Sequence, residues 1–159
     1  MITKDYLQII FEYKNGNLYY KENKGKMVAG SKAGSYNKCG YYNIDINRVK
    51  YRLHRMIFLW HHGFLAPEID HINGIKTDNR IENLRPSTKS QNLRNSKIRK
   101  NNSSGFKNVY FDKKENRYIV ELRTDGKCKR IGRFKDLELA DLVAQEARDK
   151  YHKEFARHI

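Results

Sequence analysis

Residues 70–95 decide the expected fold, and they read Asp-His-Ile-Asn-Gly-Ile-Lys-Thr-Asp-Asn-Arg-Ile-Glu-Asn-Leu-Arg-Pro-Ser-Thr-Lys-Ser-Gln-Asn-Leu-Arg-Asn. A short strand is predicted over residues 68–72, because Asn73-Gly74 is a turn signal that ends it. A second short extended segment is predicted near residues 83–86. Thr88 to Gln91 fits a capping box, which predicts a helix over residues 89–98. The predicted order is therefore strand, loop, strand and helix.

Four polar side chains in this stretch have a spacing that suggests chemistry. Asp70 and His71 put a carboxylate beside a base, Asn83 follows twelve positions after the histidine, and Asn92 follows nine further on. Such a set suits metal-dependent hydrolysis of a phosphodiester, with an imidazole as base and oxygen ligands for a hard cation. Neighbours on a regular strand point to opposite faces, so Asp70 and His71 can share a cavity only if the strand bends.

Upstream of this stretch we predict two β-hairpins and one short buried helix. The hairpins are centred on Asn15-Gly16 and Asn47-Arg48, and the helix ends at Gly63. We expect His54 to pack or cap at the start of that helix. The predicted ranges are 9–14 with 17–20 for the first hairpin, 41–46 with 49–53 for the second, and 54–62 for the helix.

Downstream, the polar stretch Asn101 to Gly105 marks a boundary, and a second α+β module is predicted beyond it. Its helix is expected over residues 137–155, with an apolar stripe of Leu139, Leu142, Val143, Ala147 and Tyr151. In the middle strand, alternation puts Tyr118, Val120 and Leu122 on the helix side and leaves Glu121 and Arg123 outward. The three predicted strands cover residues 108–111, 117–123 and 129–134.

Charge points to nucleic acid as the partner. The chain of 159 residues has 33 Lys and Arg against 18 Asp and Glu, a formal net charge of +15, and its sequence pI is about 9.8. Lys89 to Lys100 contains five basic residues, among them Arg99 and Lys100, and no acid. Such a surface binds phosphates by releasing counterions. A basic surface without a partner is the competing interpretation.

Other classes are disfavoured by composition. We find no apolar run that approaches a membrane span and no signal peptide, so a cytoplasmic location is expected. Cys39 and Cys128 lie far apart with no Cys-x-x-Cys pair, so two unpaired thiols and no structural zinc are expected.

With its lead-in segments Leu53 to Arg55 and Gly63 to Pro67, the motif resembles the HNH endonucleases of phages and mobile introns over residues 40–100. The resemblance implies a ββα-metal (His-Me finger) fold. It implies that His71 is the general base, and that Asp70 and Asn92 hold one divalent cation. By the same analogy, Asn83 is a catalytic-site residue that braces the loop orienting His71.

The resemblance departs from many family members at Asn92, where they have His. The Asn form occurs in a homing-nuclease branch that works with Mg²⁺ or Mn²⁺, so an oxygen-based site for Mg²⁺ or Mn²⁺ is implied rather than zinc.

The downstream module resembles the ethylene-response-factor (APETALA-two type) DNA-binding domain over residues 104–157, which implies a three-stranded antiparallel sheet packed on one helix and laid in the DNA major groove. Family contact positions carry over to Lys107, Tyr110, Glu121, Arg123 and Arg130. Separately, the basic charge makes Arg55, Arg85, Arg94 and Lys97 candidate phosphate contacts. A small basic α/β domain with surface charges is the alternative for this module.

The sequence thus predicts an α+β protein with a nuclease domain over residues 1–96, a basic linker over 97–104 and a DNA-binding domain over 105–159. Within the first domain, the motif core covers residues 68–97 and the hairpins cover 9–53. The expected function is a site-specific, metal-dependent DNA endonuclease. The alternative is a non-cleaving, sequence-specific DNA-binding protein or regulator on a nuclease scaffold. Double-stranded DNA is the expected partner of a monomer or weak homodimer, without a membrane or small-molecule substrate.

Overall fold

The computed structural model describes residues 2–23, 25–98, 101–124 and 126–158. Within these ranges the chain is mixed, with four α-helices and several small antiparallel sheets. It divides into two compact units, residues 1–88 and 89–159. This division falls eight residues before the predicted linker at 97–104, and each unit is described by itself.

The first unit contains two α-helices and seven strands. They are α1 (Lys4–Ile10), β1 (Phe11–Lys14), β2 (Asn17–Tyr20), β3 (Ser35–Tyr36), β4 (Tyr42–Ile46), β5 (Val49–Arg52), α2 (Leu53–His62), β6 (Glu68–His71) and β7 (Leu84–Ser87). Strands β1 and β2 pair, β3, β4 and β5 form a second sheet in that order, and β6 pairs with β7.

Both predicted hairpins are confirmed, and the reason is local. Asn15 and Gly16 have φ of 44° and 77°, and Asn47 and Arg48 have φ of 52° and 64°. Positive φ at both central positions defines the type I′ turn, whose twist matches that of the flanking strands. The turns therefore fix the register of β1 with β2 and of β4 with β5.

The predicted strand over residues 9–14 is wrong at its first two residues, because Ile9 and Ile10 belong to α1. Helix signals upstream outweigh the β-branched pair: the Thr3 hydroxyl accepts a hydrogen bond from the Tyr6 amide at 3.2 Å, and Asp5 lies in the first turn. Leu7 is fully buried, so packing stabilises the helix further.

The core of the first unit surrounds α2, which begins one residue before the predicted start and ends at Gly63 (φ 77°) as predicted. Met56, Ile57 and Phe58 are at most 1% exposed. They lie in one apolar cluster with Ile69 of β6 and Leu84 of β7. This cluster anchors the β6–β7 pair that carries Asp70 and His71.

The described part of the second unit contains two α-helices and three strands, and a short 3₁₀ helix (Lys153–Phe155) follows the last α-helix. The α-helices and strands are α3 (Lys89–Arg94), β8 (Val109–Asp112), β9 (Arg117–Thr124), β10 (Lys127–Phe134) and α4 (Leu137–His152). The predicted antiparallel three-stranded sheet is confirmed, with β9 central. Its apolar side shares one core cluster with α4.

The predicted apolar stripe of α4 is wrong in part, because Leu139 and Leu142 are 48% and 56% exposed. The buried stripe is Ala140, Ala144 and Ala147. Alanine has no bulky side chain to separate the backbones, so α4 approaches the sheet closely.

Alternation along β9 is also only partly confirmed. Val120 and Leu122 are buried against α4, and Arg123 is exposed. However, Ile119 on the opposite side is fully buried as well. Its direct neighbours in the sheet are Tyr110 and Arg133, whose long side chains are suited to covering it.

Helix α3 ends at Arg94 rather than at the predicted residue 98. The Lys107 ammonium donates hydrogen bonds to the backbone oxygens of Arg94 and Ser96, each at 2.7 Å. Carbonyls at a helix end need such partners, and a lysine supplies them favourably. Arg99 and Lys100 of the predicted basic run lie outside the described residues.

Neither Cys39 nor Cys128 is in a disulfide, and both are exposed. No helix among the described residues is long and apolar enough to span a membrane.

Candidate active site

Asp70 forms a buried ion pair across the β6–β7 sheet. The antiparallel register sets Asp70 directly opposite Arg85. Arg85 donates from Nε and Nη2 to Asp70 Oδ2 at 2.9 and 2.8 Å. The Asp70 side chain is 5% exposed and the Arg85 side chain is 13% exposed. A buried carboxylate requires such a partner, and the pair fixes the orientation of Asp70.

His71 is the last residue of β6 and is buried. Its Nε2 lies 3.0 Å from Oδ1 of Asn79. An amide oxygen only accepts hydrogen bonds, so this contact assigns the proton to Nε2 and leaves the lone pair on Nδ1. Burial lowers the pKa of His71 below 6.5, against the hydrogen bond that its Nε2 donates to Asn79 and the charge of Asp70, which both raise it. The imidazole is therefore mainly neutral at pH 7 and able to accept a proton.

Two aromatic side chains pack beside His71. The His54 ring is 4.9 Å from the His71 ring in an edge-to-face arrangement, and the Tyr41 ring is 6.2 Å from it. Burial, with the nearby charges of His71, Arg55 and Arg52, lowers the pKa of His54 to about 3. The expectation that His54 packs in α2 is confirmed, and its packing partner is the candidate base.

Asn83 organises the loop between β6 and β7. Its Nδ2 donates to Asn73 Oδ1 at 3.0 Å and to the backbone oxygen of Asp78 at 2.7 Å. Its Oδ1 accepts from the Asn73 amide at 3.0 Å. Asn83 thus ties the end of the loop to its beginning and middle, whereas it is Asn79 that accepts the hydrogen bond from His71.

The β1–β2 hairpin supports the same loop from outside. The Tyr13 hydroxyl accepts a hydrogen bond from the Ile81 amide at 3.1 Å. At Gly16, a Cβ atom would come within 2.8 Å of the Arg80 backbone nitrogen. The hairpin turn therefore lies against the backbone next to Asn79.

Sequence reasoning missed Asn79, and it predicted only packing or capping for His54, not its contact with His71. Asn79 lies inside the quoted motif, yet its spacing from His71 carries no signal, because only the path of the loop decides which asparagine reaches the ring. The contact of His54 with His71 is long-range and leaves no local pattern.

The predicted phosphate contacts of the first unit are engaged within the protein. Arg55 donates to the backbone oxygens of Pro67 and Ala66 at 3.1 and 3.2 Å, which ties α2 to the chain entering β6. Arg85 holds Asp70, as described above.

The predicted residues of the second unit fall into two groups. Tyr110, Glu121, Arg123 and Arg130 lie on the outer side of the sheet, where Glu121 is directly opposite Arg130. A cleft is lined by Arg94, Lys97, Lys107 and Arg123. Asn92 lies on α3 and is half-buried.

The two predicted metal ligands, Asp70 and Asn92, have oxygen donors of the kind that hard divalent cations bind. Among the described residues, no group of three or more His, Cys, Asp and Glu side chains could hold a metal ion. The predicted ligands are instead one carboxylate, Asp70, and one amide oxygen, Asn92, and such oxygens suit Mg²⁺ or Mn²⁺ with water completing the shell.

Comparison with known proteins supports the class of endonuclease for part of the chain. Residues 51–94 match the sequence model of a family described as HNH endonuclease. The match contains α2, β6, the loop, β7 and α3, and so it includes Asp70, His71 and Asn79. No curated protein and no solved structure matches this chain. No comparison bears on the resemblance of the second unit to ethylene-response-factor domains.

Proposed function

We propose that this chain is a metal-dependent DNA endonuclease of the HNH type. The observation that carries the proposal is the buried His71, whose Nε2 is hydrogen-bonded to Asn79, next in the chain to Asp70, whose carboxylate is paired with Arg85. All four residues lie within the segment that matches the HNH family, whose members are in general divalent-metal dependent.

In this proposal His71 Nδ1 accepts the proton of the water that attacks phosphorus. The Nε2 hydrogen bond to Asn79 keeps the ring from rotating and keeps the lone pair on Nδ1. Asp70 and Asn92 would hold one Mg²⁺ or Mn²⁺, which when bound stabilises the charge on the phosphate and on the departing 3′ oxygen. The products are a 5′-phosphate and a 3′-hydroxyl.

We further propose the domain roles. Residues 1–96 form the nuclease domain in a ββα-metal arrangement, 97–104 form the basic linker, and 105–159 form an ethylene-response-factor-like domain that reads DNA. Support comes from the outer side of the sheet, where Tyr110 and Arg123 are exposed. The net charge of +15 favours duplex DNA as substrate. A homing or phage role is part of the same proposal.

A plasmid assay with the full chain tests the proposal. We expect supercoiled DNA to be cut with Mg²⁺ and to stay intact with EDTA. Open circles would identify a nickase, and linear DNA would identify a double-strand cutter. Binding without any cleavage in Mg²⁺ or Mn²⁺ would contradict the proposal and favour the non-cleaving DNA-binding protein.

A further inference from the structure

The second unit contains a basic cleft of about 380 Å³. It lies where α3 and the segment after it meet the start of β8, the end of β9 and the end of α4. The described residues that line it include no Asp or Glu. They are Ser90, Leu93, Arg94, Ser96, Lys97, Ile98, Asn101, Asn102, Lys107, Asn108, Arg123 and His152.

His152 lines this cleft, and its two ring nitrogens differ in their hydrogen bonding. The side chain is 4% exposed. Its Nε2 donates to the backbone oxygen of Arg123 at 3.2 Å. Its Nδ1 is buried and has no hydrogen-bond partner within the part of the chain that the structure describes. A buried polar atom without a partner is costly, and a hydrogen bond to a bound group would remove that cost.

Lys107 shapes the cleft rather than projecting from it. Its ammonium holds the carbonyls at the end of α3, and its own carbonyl accepts a hydrogen bond from the buried Arg148 at 2.5 Å. Burial and the charges of Arg148 and Arg157 lower the pKa of Lys107 to about 8. Arg123 and Lys97, in contrast, are exposed at the cleft.

The electrostatics of the cleft favour an anion. Burial lowers the pKa of His152, and the nearby charges of Arg94, Lys107 and Arg148 lower it further, against the hydrogen bond to Arg123, which raises it. A bound anion reverses this balance, because it stabilises a proton on Nδ1 and gives that proton an acceptor.

We propose that this cleft binds a backbone phosphate of duplex DNA, with Lys97 and Arg123 supplying charge and His152 Nδ1 supplying a hydrogen bond. The choice of DNA as the source of the phosphate rests on the proposed function. The cleft is a contact additional to the outer side of the sheet, and Arg123 borders both.

The test measures binding of a 20-base-pair duplex to the full chain in EDTA, so that no cleavage occurs. Lys97→Gln should weaken binding equally on all sequences and reduce the slope of log affinity against log salt by about 1. Lys150→Gln is the matched control, because it removes one charge from an exposed position on α4 outside the cleft. NMR of the His152 ring should report a raised pKa when the duplex is added.

Two results would overturn the inference. One is a Lys97→Gln effect no larger than that of Lys150→Gln, with a His152 signal that the duplex leaves unchanged. The other is a His152 signal that moves with inorganic phosphate but not with the duplex, which would assign the cleft to small anions. Because binding is measured without metal, a chain that never cuts DNA can still pass this test, and a nuclease can fail it.

Discussion

At the scale of the residue, the proposed catalysis depends on the protonation and the orientation of the His71 imidazole. His71 is buried, so its charged form is disfavoured. The Asn79 oxygen selects the tautomer with a lone pair on Nδ1. A neutral, oriented histidine is the form that general-base catalysis requires.

The pH dependence of cleavage follows from this environment. Only neutral His71 can act as base, so the rate should fall as pH decreases through the His71 pKa. Because burial lowers that pKa, the midpoint of the acidic limb should lie below 6.5. Single-turnover rates between pH 5 and 8 measure it, with anisotropy in EDTA to separate binding from chemistry. A midpoint above 6.5 would be inconsistent with a buried base.

Asn79→Asp tests the contribution of the contact between Asn79 and His71. A carboxylate in place of the amide still accepts a hydrogen bond from Nε2 and adds a negative charge. It should therefore raise the midpoint of the acidic limb of the pH–rate profile by about 1 pH unit. Asn116→Asp, in an exposed turn of the second unit, is the matched control and should leave the midpoint unchanged. If the midpoint of Asn79→Asp equals that of the parent, the contact between Asn79 and His71 is irrelevant to catalysis.

The sequence could predict Asp70, His71 and Asn83 as a group, because their spacing lies within one continuous motif. It could not predict that Arg85 forms an ion pair with Asp70, since that pair depends on the register of β6 with β7. Nor could it predict the contact of His54 with His71, which depends on the packing of α2.

At the scale of the element, the loop of residues 72–83 links the β1–β2 hairpin to the His71 side chain. Asn83 holds the ends of the loop together, and the β1–β2 turn lies against residues 79 and 80. A change in the hairpin should therefore reach His71 through Asn79.

Gly16→Ala tests this link, with Gly30→Ala as its matched control. Both glycines have φ of 77°, so both substitutions carry the left-handed backbone penalty of about 1 kcal/mol. A Cβ at Gly30 meets nothing within 4 Å, whereas one at Gly16 meets the Arg80 backbone at 2.8 Å. Gly16→Ala should lower the free energy of unfolding by about 1–3 kcal/mol more than the control, and it should also slow cleavage.

Urea denaturation measures the first effect and a single-turnover assay measures the second. Equal losses of stability and of cleavage rate in the two variants would contradict a role of the β1–β2 hairpin in supporting the loop at Asn79.

Elements with a decisive local signal were predictable. The Asn15-Gly16 and Asn47-Arg48 turns specify their hairpins, and Gly63 specifies the end of α2. Helix α1 was missed because its Thr3 cap and the packing of Leu7 outweigh the β preference of Ile9-Ile10. The end of α3 was missed because a distant lysine, Lys107, satisfies its carbonyls.

At the scale of the whole molecule, the basic charge was readable from the sequence. The +15 charge is spread over both parts of the chain, and such a charge favours a nucleic-acid partner independently of any motif. The division at residues 88 and 89 was not predicted, because Thr88 alone separates β7 from α3 and leaves no linker to mark it. The nuclease motif therefore continues across the division, with Asn92 in the second unit.

The most direct test of His71 as the general base is the single-turnover rate of DNA cleavage by His71→Ala, compared with the parent in the same Mg²⁺ buffer. His62→Ala, at the end of α2 against Phe58, is the control for losing a histidine in this unit. The account predicts that His71→Ala cuts at least about 100-fold more slowly while binding the duplex normally, and that His62→Ala cuts at the parent rate. Cleavage by His71→Ala as fast as by the parent would contradict the assignment of His71 as the base.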